Sequence, residues 1–203
     1  RMKSNVKKQY MELKGKPVLY YSLQVFEQHQ DISEIILVTS EEDIEYCRSE
    51  IAERYRFSKV TNIVPGGKER YHSVWAGLCA ARTCDHVLIH DGARPFVTGV
   101  MIDRLLDCVR TEKACVAGMP VKDTIKIADE QGYVAETPLR SRVWQVQTPQ
   151  VFEFELIRSA YEQLIHEEIG SVTDDAMVLE CMTGRRVRLI EGAYENIKIT
   201  TPE

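Results

Sequence analysis

The sequence contains 203 residues, of which 44% are apolar and 28% are charged, and its 26 basic and 31 acidic side chains give a formal net charge of −5. A chain of this length forms one large domain or two small ones, and its composition is not that of a disordered protein. Its acidity disfavours a general affinity for nucleic acid or anionic membranes. Apolar runs such as Ile35–Val38 are far shorter than the roughly 18 residues of a membrane span. We therefore expect neither nucleic acid nor a membrane as a partner.

Six cysteines are scattered along the chain without a Cys-x-x-Cys pair or the spacing of metal ligands. A chain of this size buries its own core and needs no disulfides, so we expect six small buried thiols in a reducing compartment. The first eight residues are basic but lead into polar sequence, which is unlike a signal peptide. The sequence thus predicts a cytoplasmic protein.

Two apolar periodicities alternate along the chain. Unbroken β-branched runs predict buried strands, and apolar residues three or four apart predict helices. The predicted strands are Ile35–Val38, Val60–Val64, Val87–Ile89, Cys115–Val121, Val187–Ile190 and Ile197–Thr200. The predicted helices are Ile44–Tyr55 with Ser40 as its cap, Val74–Ala81, Ile102–Val109, Ile157–Leu164, and a short one after Ser171–Thr173. This alternation predicts an α/β fold with a mostly parallel, Rossmann-like sheet and helices on both faces.

The alternation stops between residues 122 and 147. Thr124–Ala128 and Tyr133–Thr137 flank the turn-rich segment Asp129–Gly132. Two short extended segments around such a turn predict a β-hairpin arm. We therefore expect a single domain over residues 1–203, with an inserted arm at about residues 122–147.

A glycine-containing turn, Pro65–Arg70, joins a predicted strand to the helix that begins near Ser73. Adjacent glycines let the backbone approach a ligand closely, and helix N-termini attract phosphate. A plain tight turn is the alternative interpretation.

The polar segment His90–Pro95 follows directly on the predicted buried strand Val87–Ile89. Ligands of open α/β sheets bind at this carboxyl edge of the strands. Asp91 and Arg94 could hold a ribose hydroxyl or a metal–phosphate unit. An ion pair between them that fixes the loop is the alternative.

Further segments place a hydroxyl or a cation at an element boundary, as binding of a sugar phosphate requires. They are Lys122–Thr124, Arg140–Arg142, Thr148–Gln150, Thr173–Asp175 and Asn196–Lys198. Each could instead be a cap or a solvated charge, and Thr173 suits a helix N-cap. Asp174 and Asp175 diverge on a helix, which argues against a metal pair.

The basic segment Arg1–Lys8 is either a solvated tail or a clamp on phosphates. The sequence contains no nucleophile elbow, no pair of histidines at metal-ligand spacing and no Gly-x-Gly-x-x-Gly fingerprint. Their absence disfavours hydrolase and dehydrogenase functions.

In this order, the segments resemble one family, the 2-C-methyl-D-erythritol 4-phosphate cytidylyltransferases of non-mevalonate isoprenoid synthesis. The matching segments are Arg1-Met2, Lys8–Tyr10, Gly15–Val18, Gly66–Arg70, His90–Pro95, Pro120–Thr124, Gln147–Gln150, Thr173–Ala176 and Glu195–Lys198. The resemblance implies transfer of CMP from CTP to a sugar-alcohol phosphate, with release of pyrophosphate. It also implies Mg²⁺ held mainly by the CTP phosphates, no protein metal site, and a homodimer in which the arm carries Arg140 into the neighbouring active site.

The resemblance also implies roles for individual residues. The catalytic cations would be Arg1, Lys8, Arg140 and Lys198. The nucleotide would be bound by Gly66, Gly67, Lys68, Ser73, Asp91, Gly92 and Arg94. The acceptor would be bound by Thr124, Arg140, Thr148, Thr173 and Lys198.

The chain departs from the family pattern near its N-terminus. The family opens with a strand and the loop Ala-Ala-Gly-x-Gly-x-Arg-Met, of which the sequence has Arg1-Met2, and we expect the rest to precede Arg1. Lys7 stands where the family usually has proline. Two other functions stay open: a ribitol 5-phosphate cytidylyltransferase with the same chemistry, and a non-catalytic nucleotide-binding protein that lacks the loop.

Overall fold

The computed structural model describes residues 7–167 and 172–200. Its strands are β1 (Glu12–Leu13), β2 (Lys16–Pro17), β3 (Ile35–Thr39), β4 (Val60–Pro65), β5 (His86–Ile89), β6 (Ala114–Pro120), β7 (Ile127–Ala128), β8 (Val134–Glu136), β9 (Trp144–Glu153) and β10 (Arg188–Glu191). Its α-helices are α1 (Val18–Gln28), α2 (Ile44–Tyr46), α3 (Arg70–Ala80), α4 (Gly99–Glu112), α5 (Phe154–His166) and α6 (Asp175–Thr183). A 3₁₀ turn, Glu41–Asp43, precedes α2, and a π-helical segment, Cys47–Glu53, continues it.

The main sheet has four strands in the order β10-β6-β9-β5. Strands β6 and β10 are parallel, whereas β9 runs antiparallel to both of its neighbours. Strands β3 and β4 form a separate parallel pair. The predicted α/β, Rossmann-like fold is confirmed. Within the described residues the main sheet is mixed, because β9 enters it from the arm and runs opposite to β5, β6 and β10.

Strand β9 was not predicted, because its sequence resembles a loop. Gln147, Thr148 and Gln150 interrupt the apolar pattern, yet all three side chains are buried. Their polar groups form hydrogen bonds inside the protein, which makes their burial tolerable. Conversely, the predicted strand at residues 197–200 has irregular structure, and no ladder pairs it.

The arm is a hairpin of β7 and β8, with Ile127 opposite Glu136 and Ala128 opposite Val134. Its turn is stabilised by the Asp129 carboxylate, which accepts hydrogen bonds from two backbone N–H groups of the turn. The predicted arm is too long at its C-terminal end. Trp144 already pairs with Pro120 in the main sheet, so β9 begins three residues before the predicted boundary.

Helices cover both faces of the main sheet, as predicted. On one face, Val116 and Phe152 pack with apolar residues of α5 and α6. On the other face, Cys115 and Val151 pack with residues of α1 and α4. Consecutive residues of β6 and β9 point to opposite faces, so both faces are apolar and the strands read as continuous apolar runs.

All six thiols are free. Cys47 and Cys115 are buried as expected, whereas Cys79, Cys84 and Cys181 are exposed. The expectation of six buried thiols is therefore wrong for half of them, because helix and loop surfaces accommodate a small side chain as readily as the core does. No helix among residues 7–167 and 172–200 has the length and apolar character needed to cross a membrane.

Gln150 joins β9 to the start of α6. Its side chain is 1% exposed, donates to the Asp174 carboxylate at 3.0 Å and accepts from the Ala176 N–H at 2.9 Å. We predict that Gln150→Met lowers the free energy of unfolding by about 1–3 kcal/mol, because the variant leaves buried polar groups without partners. Urea denaturation measures this difference.

The exposed Gln163 on α5 provides a matched control. Gln163→Met should change the free energy of unfolding by no more than about 0.5 kcal/mol. Equal effects of the two substitutions would contradict a clamping role for Gln150.

Candidate active site

Several of the predicted site segments meet at one edge of the described structure. The turn at residues 66–69 follows the carboxyl end of β4, residues 90–95 follow β5, and residues 192–198 follow β10. Three cations converge on Asp91. Arg70 comes from the start of α3, Arg94 from the loop after β5, and Lys198 from the segment after β10. Antiparallel β9 contributes its first half, including Thr148, to the same edge. This is the edge at which α/β sheets bind ligands.

A cleft opens at this edge, beside the carboxyl ends of β3 and β5. Seven of the predicted functional residues lie in its lining: Lys8, Gly66, Gly67, Ser73, Asp91, Gly92 and Lys198. The structure thus gathers residues that are up to 190 positions apart in the sequence around one cleft.

The turn after β4 packs tightly against α3. A Cβ atom on Gly67 would lie 2.3 Å from the Cβ atom of His72, so only glycine fits there. The Gly67 N–H donates to the Ser73 hydroxyl at 3.1 Å. Glu69 and His72 form a reciprocal capping box at the start of α3. The tight turn that the sequence analysis offered as an alternative is therefore present. Contact of this turn with a nucleotide stays a prediction.

Asp91 is the centre of the charged cluster. Its carboxylate, 15% exposed, lies 2.9 Å from the Lys198 ammonium through Oδ2 and 3.5 Å from the Arg70 Nε through Oδ1. Arg94 Nε also lies 3.5 Å from Oδ2. Burial by itself raises the pKa of Asp91, but Lys198 and Arg70 outweigh it, so the pKa lies below its usual value. Asp91 is accordingly ionised at neutral pH.

The guanidinium group of Arg94 contacts two partners. Its Nη1 donates to the Asn196 carbonyl at 2.8 Å, and its Nε faces Asp91. The ion pair between Asp91 and Arg94, which the sequence left as an alternative, is therefore present. Through its hydrogen bond to Asn196, Arg94 also holds residues 196–198 beside the loop that follows β5.

Thr148 is buried behind Asp91, and its hydroxyl oxygen accepts a hydrogen bond from the Asp91 N–H at 3.0 Å. His90 Nε2 lies 3.1 Å from the Arg94 carbonyl and must donate to it, so His90 Nδ1 accepts from the Thr148 hydroxyl. The hydroxyl proton of Thr148 is therefore already donated to His90. In this structure Thr148 fixes the loop, and its predicted contact with the acceptor stays a prediction.

Arg70 and Asp175 form a buried ion pair that the sequence did not predict. Arg70 Nη1 and Nη2 donate to the two Asp175 oxygens at 2.8 and 2.7 Å, and the Tyr161 hydroxyl donates to the same carboxylate. Asp175 and Tyr161 are 0% exposed. Burial lowers the pKa of Arg70, but Asp175 more than offsets it, so the net pKa shift is upward. Arg70 stood in a recognised segment, but its partner lies 105 residues away.

The two adjacent lysines near the N-terminus differ in their surroundings. The Lys7 ammonium lies 2.6 Å from the Ser40 hydroxyl, 2.7 Å from Glu42 and 2.6 Å from Asp43. Asp43 and Glu42 raise the pKa of Lys7, and all three acceptors hold it beside the segment after β3. Lys8 lines the cleft and has no ion pair among residues 7–167 and 172–200. Lys8 is therefore the better candidate for a phosphate ligand.

Five predicted residues do not join the cluster. Lys68, Thr124, Arg140 and Thr173 are exposed and do not line the cleft, and Arg1 lies outside the described residues. Arg140 donates to the Lys122 carbonyl at the base of the arm. Thr173 was expected to cap α6, but the cap is Asp174, whose carboxylate accepts from the Met177 N–H.

This α/β fold presents a glycine turn and three cations around Asp91 at the edge of its strands, which suits an enzyme that binds a nucleotide and transfers part of it. The sequence profile of the family "2-C-methyl-D-erythritol 4-phosphate cytidylyltransferase" matches residues 1–203. The chain belongs to this family. The resemblance inferred from the sequence is confirmed.

Similar proteins carry the same name. The enzyme of that name from Lachnospira eligens is 51% identical, with 100% of this chain and 89% of that protein covered. The one from Lachnoclostridium phytofermentans is 47% identical, with 100% and 87% covered. A crystal structure of 4-diphosphocytidyl-2C-methyl-D-erythritol synthase from Anaerococcus prevotii has a TM-score of 0.88 at 35% identity, with 98% of this chain and 87% of that chain covered.

Burial lowers the pKa of His90 from its ordinary 6.5 to about 4. Between these values the unfolded chain binds a proton that the folded protein does not, so the free energy of unfolding falls as the pH drops from 6.5 to 4. We predict a loss of at most about 3 kcal/mol from this group, at 1.36 kcal/mol per pKa unit. His90→Gln should lack this part of the pH dependence in urea denaturation at pH 4 to 7.

His166→Gln is the control, because it removes an exposed imidazole and keeps His90. It should keep the pH dependence of the wild type. Parallel curves for the wild type and His90→Gln would show that His90 is not held neutral.

Proposed function

We propose that the chain transfers CMP from CTP to 2-C-methyl-D-erythritol 4-phosphate, giving 4-diphosphocytidyl-2-C-methyl-D-erythritol and pyrophosphate. The substrates come from the family assignment over residues 1–203. The observation that carries the proposal is the Asp91 cluster, in which Arg70, Arg94 and Lys198 gather at the mouth of the cleft. The cluster has more positive than negative charge at the place where two phosphorylated substrates would meet.

An oxygen of the acceptor phosphate attacks the α-phosphorus of CTP, the new P–O bond forms, and the bond from the α-phosphorus to the bridging oxygen breaks. Pyrophosphate leaves with that oxygen. Because both reactants are anions, cations must offset their repulsion and hold them in line. We assign this role to Lys8, Lys198, Arg140 and Arg1. No covalent enzyme intermediate is required.

The nucleotide and the acceptor bind on two sides of Asp91 in this proposal. Gly66, Gly67, Lys68 and Ser73 bind the base, and Asp91, Gly92 and Arg94 bind the ribose side of the nucleotide. Thr124, Arg140, Thr148, Thr173 and Lys198 bind the acceptor. The turn after β4, Asp91 and Lys198 all line the cleft, which supports their contact with the substrates.

A magnesium ion held by the CTP phosphates is part of the proposal. Among residues 7–167 and 172–200, no three His, Cys, Asp or Glu side chains are arranged to hold a metal. Both oxygens of Asp91 face cations, so the protein offers no preformed carboxylate ligand there. When bound, the ion would neutralise negative charge on the triphosphate.

The arm supports a homodimer. Tyr133 is 75% exposed and Leu139 is 64% exposed, and Ile127 and Val134 add to the apolar surface of the arm. Exposed apolar surface of this kind is typical of a contact between proteins. Arg140 lies on the arm and does not line the cleft of its own subunit. We therefore propose that Arg140 serves the active site of the partner, in a cytoplasmic homodimer.

Pyrophosphate release from full-length protein tests the reaction. With CTP and Mg²⁺, we expect release with 2-C-methyl-D-erythritol 4-phosphate, none with ribitol 5-phosphate in a parallel well, and none after EDTA treatment. Release only with ribitol 5-phosphate would change the substrate and keep the chemistry. No release with either acceptor from folded full-length protein would favour a nucleotide-binding protein without catalysis.

Subunit mixing tests the shared active site. We expect Lys8→Ala and Arg140→Ala each to lower kcat by about 10²–10³, the effect of removing one stabilising group from a transition state. Mixed subunits of the two variants should recover activity, because one of the two sites of a mixed dimer has both residues. The double variant mixed with Lys8→Ala is the control and should recover none. Failure to recover after verified subunit exchange would contradict the shared site.

A further inference from the structure

The proposed function leaves Lys198 with two partners. It binds the acceptor phosphate in the reaction, whereas in this structure its ammonium lies 2.9 Å from Oδ2 of Asp91. Lys198 must therefore move from Asp91 to the phosphate, or share its protons between them. The Asp91 carboxylate is only 15% exposed, and a poorly hydrated charge that loses its nearest counterion is strongly destabilised.

Arg70 is the cation that approaches Asp91 on its other oxygen. Its Nε lies 3.5 Å from Oδ1, whereas Lys198 and Arg94 both face Oδ2. Asp91 therefore keeps a partner on that side whatever Lys198 does.

Arg70 cannot readily follow a substrate. Its two terminal nitrogens are bound to Asp175 at 2.8 and 2.7 Å, and Tyr161 donates to the same carboxylate. Both partners are fully buried between α5 and α6. A bidentate pair with a buried carboxylate fixes both the position and the plane of a guanidinium group.

We propose that Arg70 is a positioning residue that, anchored on Asp175 and Tyr161, keeps Asp91 neutralised while Lys198 moves onto the acceptor phosphate. The inference deepens the proposed function and depends on the role given there to Lys198. Without Arg70, Asp91 would hold Lys198 more tightly, and the acceptor would compete for it less well.

The double variant Arg70→Met/Asp175→Asn tests the inference. Arg70→Met alone would leave the buried Asp175 carboxylate without a counter-charge, whereas the double variant removes both charges together, which proteins often tolerate. We expect KM for the acceptor to rise about tenfold or more, a fold-change typical of one coupled charge pair. At saturating acceptor, kcat should stay within about threefold of the wild type, and KM for CTP should rise less than KM for the acceptor.

Two further variants separate positioning from folding. Arg70→Lys keeps a cation near Asp91 but loses the bidentate geometry, and its acceptor KM should lie between those of the wild type and the double variant. Arg54→Met/Glu50→Gln removes an exposed ion pair of the same kind, 2.9 Å apart, and should leave both KM values unchanged. Thermal unfolding of every variant checks that the protein is folded at the assay temperature.

An acceptor KM within twofold of the wild type in the folded double variant would overturn the inference. So would a rise confined to KM for CTP, because Arg70 would then serve the nucleotide. If the double variant does not fold, an acceptor KM unchanged in Arg70→Lys overturns the inference in the same way. Wild-type protein that is inactive with every acceptor would instead overturn the proposed function.

Discussion

The Asp91 carboxylate is the interaction on which the cleft depends. It is bound from the helix after β4 by Arg70, from its own loop by Arg94, and from the segment after β10 by Lys198. Thr148 of β9 fixes its backbone from below. The three cations come from segments after β4, β5 and β10, strands that do not pair with one another. One poorly hydrated negative charge thus positions the cations that a reaction between two phosphates requires.

The cluster is stable because its charges are paired and supported by hydrogen bonds. A buried ion loses hydration, and the loss is offset only where several partners have good geometry. Asp175 meets this requirement through the bidentate Arg70 and the Tyr161 hydroxyl. Asp175 is fully buried, whereas Asp91, which Lys198 contacts, is 15% exposed. The rigid part of the cluster is therefore separated from the part that must move.

Local periodicity was enough to predict most of the secondary structure. The strand β3 and the helix α4 follow from apolar patterns that need no information about distant residues. Helix α1 and strand β9 were not predicted. Strand β9 and the Arg70–Asp175 pair depend on buried polar side chains whose partners are distant in sequence, as Gln150 and Asp174 show. Spacing along the chain gives no signal for such pairs.

The site residues could be found because several of them lie at the ends of strands, where the fold brings them together. The hydrogen-bond and ion-pair partners of these side chains could not be predicted in the same way. Ser73 is bonded to the turn, Thr148 to His90, and Lys198 to Asp91, so the polar groups of the cleft satisfy one another. A substrate binds only if its own groups replace these partners at little cost in free energy. A phosphate can replace Asp91 as a charged acceptor for Lys198, whereas the hydroxyl of an uncharged polyol is a weaker acceptor, and this contact therefore favours a phosphorylated substrate.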